Sequence, residues 1–183
     1  MRRPPASATQ TGVSLIELMI TIALFVILAM MAFPIFTTWL ASQQVRSATE
    51  AVLDGIHIAQ GEAIKRNQAV RFVLDPAVGW QAQLVSDDSV LREGLFKEGS
   101  SRVSVTATPV GTDTVVFDGI GRIFKDDGVT PLDDRISFDV DTSTGIGGVR
   151  ALRVVIDTAA ATGVGIRSCD PALVSTDPRA CPT

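Results

Sequence analysis

Hydrophobic and polar positions fall into three patterns along this chain. From 18 to 36 the sequence is continuously apolar: no residue is charged, and Thr21 is the only polar side chain. As a helix these residues would span roughly 28 Å at 1.5 Å each, about the thickness of a hydrocarbon core. Further on, Val45, Ala48, Val52, Ile56, Ala59 and Ala63 recur at steps of three and four, with Glu50, Asp54, Glu62 and Lys65 on the opposite side. Lys65 and Arg66 suit a helix C-terminus, and Asn67 suits the stop after it. The spacing predicts one long helix from about 14 to about 66, kinked at Pro34, with its second half lying against a folded domain.

Beyond Asn67 the period drops to two. Strands are predicted over 70–74, 80–85, 103–107, 114–117, 135–140, 152–157 and 163–168, with Gly, Pro and Asp at most of the joints. Strands without intervening helices imply an antiparallel sheet or small β-sandwich packed on the helix, an α+β fold. No internal repeat or low-complexity linker interrupts the pattern.

Composition narrows the class. At 183 residues the chain has room for one domain and something more. It is 46% hydrophobic and 20% charged, which is apolar for a soluble domain and points to a membrane segment. A net charge of −4 excludes a strongly basic nucleic-acid binder as a reading of the whole chain. One His and two Cys exclude a His-rich metal centre and a four-Cys zinc site. Arg2 and Arg3 precede the apolar run, and the next cation is Arg46. The positive-inside rule therefore puts the short N-terminus in the cytoplasm and everything after Phe36 outside, which in a Gram-negative cell is the periplasm.

A cleaved secretory signal fits this segment poorly. The polar stretch ending at Thr11-Gly12 is long for a signal n-region, no A-x-A site follows the apolar run, and Glu17 stands at its start. An acidic residue there is expensive and marks a purpose.

Gly12-Val13-Ser14-Leu15-Ile16-Glu17 resembles the prepilin cleavage site of type IV pilins and pseudopilins. The resemblance implies a dedicated aspartic peptidase that cuts after Gly12 on the cytoplasmic side and methylates Val13. The apolar helix stays on the mature protein, first as membrane anchor and then as filament core. Glu17 becomes the fifth residue of the mature chain and Pro34 the twenty-second, as the family pattern requires. Val13 replaces the more common Phe or Met, and Ser14 the more common Thr. Within lipid a lone Glu17 carboxylate costs a few kcal/mol, and the N-terminal amine of a neighbouring subunit would remove that penalty. The residue would thereby drive docking and set register, a role compatible with simple capping of the helix N-terminus.

The rest of the chain resembles the FimT/GspH group of minor pilins and pseudopilins. The resemblance is carried by Ala59-x-x-Glu62-Ala63-Ile64-Lys65-Arg66-Asn67 before a strand, by Phe117-Asp118-Gly119-x-Gly121-Arg122, and by Arg167-x-Cys169-Asp170-Pro171 with Arg179-x-Cys181. Cys169 and Cys181 are the only cysteines, and an exported domain is oxidising territory, so a disulfide is expected. In the FimT branch a C-terminal G-R-x-R motif is associated with binding DNA in natural transformation. Arg167 matches its second Arg, but Gly165 stands where the first would be. Residues 163–183 hold two Arg and two Asp, which is no basic patch, so DNA binding would need Arg179 to converge with Arg167.

The remaining candidates read as structural. His57 lies at the edge of the apolar stripe, and Ile58 falls outside it, where another subunit could meet it. Asp139-x-Asp141-x-Ser143 opens like a calcium loop but has Thr144 and Arg150 where Gly and Glu belong. Asp126, Asp127, Asp133 and Asp134 read as solvated turn residues. No catalytic constellation and no nucleotide fingerprint is visible, so neither enzyme activity, cofactor nor metal is expected.

The chain is thus expected to divide into a leader (1–12), a transmembrane and filament-core helix (13–40) and a periplasmic pilin-like domain (41–183). That domain would comprise an amphipathic helix (41–66) and a β-rich part (69–183). By resemblance it is a minor pilin or pseudopilin that initiates or tips a type II secretion pseudopilus or a type IV pilus. A DNA-uptake subunit is the alternative. Its partners would be the prepilin peptidase/methylase, other pilins, the inner-membrane assembly platform and membrane lipid, with DNA in the alternative.

Overall fold

A computed structural model describes residues 14–76, 78–96, 103–132, 135–142, 147–157 and 165–182. One helix, α1, runs Leu15–Arg66 with Pro34 inside it. The chain divides into two compact units at Thr37/Thr38.

Among the described residues of the first unit the large apolar side chains all stand exposed, from Leu15 at 76% through Phe25 at 72% to Phe36 at 57%. Thr21, the one polar side chain of the apolar run, donates its hydroxyl to the Leu18 carbonyl at 2.8 Å. That bond lets a hydroxyl sit on a helix surface without presenting an unpaired donor. Thr37 does the same to the Pro34 carbonyl at 2.9 Å.

In the second unit the helix buries a stripe. Ala41, Val45, Ala48, Thr49, Val52, Gly55, Ile56, Ala59 and Ala63 are buried, which includes all six positions of the predicted stripe. Ile58 is outside it, at 37% exposure. The helix ends in a Schellman-type cap. Gln68 N–H donates to the Ala63 carbonyl and Asn67 N–H to the Ile64 carbonyl, both at 3.2 Å. Asn67 takes φ +52°, the left-handed conformation that Asn tolerates better than most residues. Lys65 and Arg66 both pair with Glu62.

Among the described residues nine strands follow: β1 Val70–Asp75, β2 Gly79–Leu84, β3 Val90–Leu95, β4 Val103–Thr108, β5 Thr114–Phe117, β6 Ile123–Phe124, β7 Ile136–Thr142, β8 Leu152–Asp157 and β9 Gly165–Cys169. They form two antiparallel sheets, ordered β3-β2-β1-β5-β6 and β4-β7-β8-β9. The predicted α+β fold is present, and its β part is two sheets.

Alternation shows in the burial. Val70, Phe72 and Leu74 of β1, and Ile136, Phe138 and Val140 of β7, turn into one core with the helix stripe. Phe72 of the first sheet meets Phe138 of the second edge-on, ring centroids 6.0 Å apart. β8 is buried at three consecutive positions, so it is covered on both faces.

Two strands escape the sequence pattern. β3 is an edge strand, mostly exposed, and carries Arg92-Glu93-Gly94 where an alternating strand would place an apolar residue. β6 has only two residues. β9 starts at Gly165, and residues 163–164 lie outside the described part.

Candidate functional site

The assembly residues predicted from sequence lie at the start of the chain. Gly12 and Val13 are outside the described residues. Glu17 sits in the first turn of α1, flanked by exposed Leu15, Ile16, Leu18 and Met19. A carboxylate there complements the positive end of the helix dipole. It also presents an acceptor within an otherwise apolar surface, where only a strong donor or cation can compensate it. Pro34 has no amide hydrogen for the Met30 carbonyl, so the helix loses one internal bond within the apolar run.

The Phe117-Asp118-Gly119-x-Gly121-Arg122 motif forms a corner against the end of α1. Asp118 Oδ1 accepts from the N–H groups of Ile120 (3.1 Å) and Arg122 (2.8 Å), and Oδ2 accepts from Arg122 Nε at 2.7 Å. Burial would raise the Asp118 carboxyl, but the bonds from Arg122 and Ile120 outweigh it and hold the group below the usual value. Gly121 takes φ +84°. Its carbonyl accepts from Gln60 Nε2 of the helix at 3.2 Å. A Cβ on Gly119 would come within 2.6 Å of Asn67. Gly119 is therefore required by the closeness of the corner to the helix cap, and Gly121 by its left-handed backbone. The motif's chemistry is joinery rather than catalysis.

Cys169 and Cys181 are bonded to each other, twelve residues apart in sequence. The two arginines weighed for DNA have different surroundings. Arg167, on edge strand β9, is exposed and pairs in register with Val155. Arg179 is engaged with Asp177 through Nε (3.3 Å) and Nη2 (3.2 Å). That contact, led by the Arg179 side chain, lowers the Asp177 carboxyl below its ordinary value. Arg179 borders a cavity with Arg46 and Arg150, and Arg167 is not among its lining residues.

Other candidates are accounted for by local structure. His57 is exposed on the helix. Asp139 receives Nε and Nη2 of Arg153, at 2.6 and 3.1 Å. Asp127 closes a turn by accepting from the N–H groups of Val129 and Thr130, and Asp126 pairs with Arg71. Ser143, Thr144, Asp133 and Asp134 lie outside the described residues.

Sequence reasoning missed two features. Trp80 lies between two glycines, Gly55 of the helix and Gly94 of β3, and a Cβ on either would approach its indole to 2.5 Å. The second is the meeting of Arg46, Arg150 and Arg179, which are too far apart in sequence to form any pattern.

Comparison with known proteins then bears on both halves of the chain. The family model described as type II transport protein GspH matches residues 48–160. The prokaryotic N-terminal methylation motif matches residues 7–33. Among solved structures, the type IV minor pilin FimU of Pseudomonas aeruginosa aligns with a TM-score of 0.51 at 14% identity, over 68% of this chain and 89% of that one. The minor pseudopilin EpsH of Vibrio cholerae aligns with a TM-score of 0.48 at 11% identity, over 71% of this chain and 99% of that one. No curated protein sequence matches the chain.

Proposed function

The chain belongs to the family of type II transport protein GspH, and from that premise we propose how this minor pilin or pseudopilin subunit is made and used. It is synthesised as a prepilin, cut after Gly12 and methylated on Val13 by the prepilin peptidase. It waits in the inner membrane with its N-terminus cytoplasmic and the β-rich domain periplasmic. The assembly platform then draws it into a filament as an initiating or tip subunit.

The observation that carries this reading is the exposed apolar surface of α1. Its large side chains from Leu15 to Leu40 stand exposed, and among the described residues this is one helix long and apolar enough to cross a membrane. A surface of that size needs either lipid or the same helix of neighbouring subunits around it. Glu17 within that surface supplies the specific element: its carboxylate pairs with the amine of a neighbour. The family is one of structural subunits, and the chain's role is assembly. The comparisons lend no support to the DNA-uptake alternative, and Arg179 is already held by Asp177.

The test is coexpression of the full chain with a prepilin peptidase, followed by N-terminal sequencing and a filament-incorporation assay. The expected mature chain begins at methylated Val13, and Gly12→Asp stays uncut and out of filaments. Uncut Gly12→Asp that still incorporates and functions would overturn the reading.

A further inference from the structure

Two side chains of opposite charge stand on open sheet edges, with no role in the assembly described above. Glu93 is on β3, the end strand of the first sheet, and Arg167 is on β9, the end strand of the second. Among the described residues each of these strands pairs on one side only. Both side chains are exposed, and neither has an ion-pair partner among the described residues. An edge strand offers unpaired N–H and C=O groups, a template for a further strand.

Register sets the surroundings of Glu93. Val73, Gln81 and Glu93 lie side by side across β1, β2 and β3, and Asp75, Gly79 and Leu95 form the next row. Phe72, Leu74, Trp80 and Ala82 turn into the core, so these two rows face away from it. Gly79 leaves its row bare, because a Cβ there would collide with the Gly94 carbonyl. The gap belongs to a hollow of about 160 Å³ whose lining includes Asp75, Val78, Glu93 and Leu95 and no cation. Val78 and Leu95 are 43% and 47% exposed. An apolar slot with carboxylates on its rim fits a long cationic side chain, whose stem lies on the Val and Leu while its head meets an acid.

β9 carries such a side chain. Ile166 packs against the core, so Arg167, in register with Val155, faces away from it as Glu93 does. Arg167 is the one charged residue of β9. The other two edge strands, β4 and β6, carry no charge. β3 against β3, or β9 against β9, would bring like charges together on the outer face. Only β3 against β9 sets opposite charges side by side.

We propose that β3 of one copy of this chain takes β9 of a second copy at its open edge, with Arg167 of the second copy entering the slot beside Glu93. The contact joins two different surfaces, so it can repeat with every copy pointing the same way, as copies anchored in one membrane must. A five-residue strand covers little area for a tight soluble dimer. It suits copies already gathered in one membrane, where the effective concentration is high. This contact rests on the assembly reading above and adds that the initiating unit holds more than one copy.

The experiment measures resonance energy transfer between donor- and acceptor-tagged copies of the full chain in mild detergent micelles. Wild-type self-association is expected to weaken as salt rises. Glu93→Arg alone and Arg167→Glu alone should each self-associate about five- to tenfold more weakly, because each sets like charges across the contact. A mixture of the two variants should recover the wild-type affinity and stop at the dimer. In that mixture the intact Glu93 edge of one meets the intact Arg167 edge of the other, and the two reversed edges stay unpaired. Glu93→Gln and Arg167→Gln repeat the test without reversed charge should either first variant fail to fold. Single variants that associate like wild type would overturn the contact, and so would a mixture no stronger than its components. Cleavage at Gly12 and filament incorporation are read separately on the wild-type chain. If it is neither cut nor incorporated, the assembly reading fails; if it is both while the variants associate unchanged, only the β3–β9 contact fails.

Discussion

The two halves of α1 treat hydrophobicity in opposite ways. The first half is the most apolar stretch of the chain, and its large side chains stand exposed. The second half is only moderately apolar, its stripe built on Ala, Val, Gly, Thr49 and one Ile, and that stripe is buried. Hydrophobic content therefore does not mark the core of this domain. Period and residue size do. A stripe of small residues lets two sheets approach the helix closely, so that Trp80 rests on the bare backbone of Gly55. A continuous run of large residues leaves no polar face to turn towards water, so every side of it must meet lipid or another helix.

This comparison can be broken by substitutions that touch one half at a time. The largest expected effect is functional. Glu17→Ala should abolish incorporation into filaments in a crosslinking assay with the other pilins, while the melting temperature of the domain stays at the wild-type value. A shifted melting temperature would mean that the two halves are not independent.

Next in size is the core contact between the sheets. Phe138→Ala removes a fully buried ring that meets Phe72, and a loss of about 3–5 kcal/mol is expected in denaturant unfolding of the full chain. Membrane extraction should be unchanged. The disulfide comes third. Cys169→Ser with Cys181→Ser opens a loop spanning twelve positions, which should cost roughly 3 kcal/mol in the chain-entropy picture.

Gly55→Ala sharpens the comparison most directly. On an exposed helix face the change would gain about 1 kcal/mol. Here the new methyl would lie 2.5 Å from the Trp80 ring, so a net loss of about 1–3 kcal/mol is expected. Gly61, whose Cβ would meet nothing within 4 Å, is the control: Gly61→Ala should stabilise.

The smallest effect concerns acid. Asp118 is held below the ordinary carboxyl value, so it binds protons less readily folded than unfolded. Its stabilising contribution is full above the unfolded value of about 3.9 and is lost as pH falls through the lower folded one. A carbon-detected titration of Asp118 should show a midpoint below that of the unfolded chain, and Arg122→Ala should move it back up.

Much of the fold was legible because local signals coincide there. The six stripe residues, Asn67 as helix stop, and the strands around Phe72, Val105, Val115, Phe138 and Val154 all follow from spacing. β3 was not legible, because an exposed edge strand with Arg92 and Glu93 shows no alternation to detect. At the candidate site, the two cysteines are joined as expected. Arg167 and Arg179 were grouped by their nearness in sequence to those cysteines, yet Arg179 faces Arg46 and Arg150 across a cavity that Arg167 does not line.

The sequence by itself determined the properties that depend on neighbours within a turn or a strand. These are the continuous apolar run with Glu17 at its head, the 3.6-residue stripe, the alternating strands and the oxidised cysteine pair. Tertiary structure alone decided which strands share a sheet, since β4 pairs with β7 rather than with β3 or β5. It also decided that Gly55 and Gly94 flank one indole, and that three arginines more than a hundred residues apart at the extremes border one cavity. The physical reason is range. Periodicity records which way a side chain points from its own element, whereas pairing and packing depend on how distant elements fill the same space, and a single chain carries no local mark of that partner.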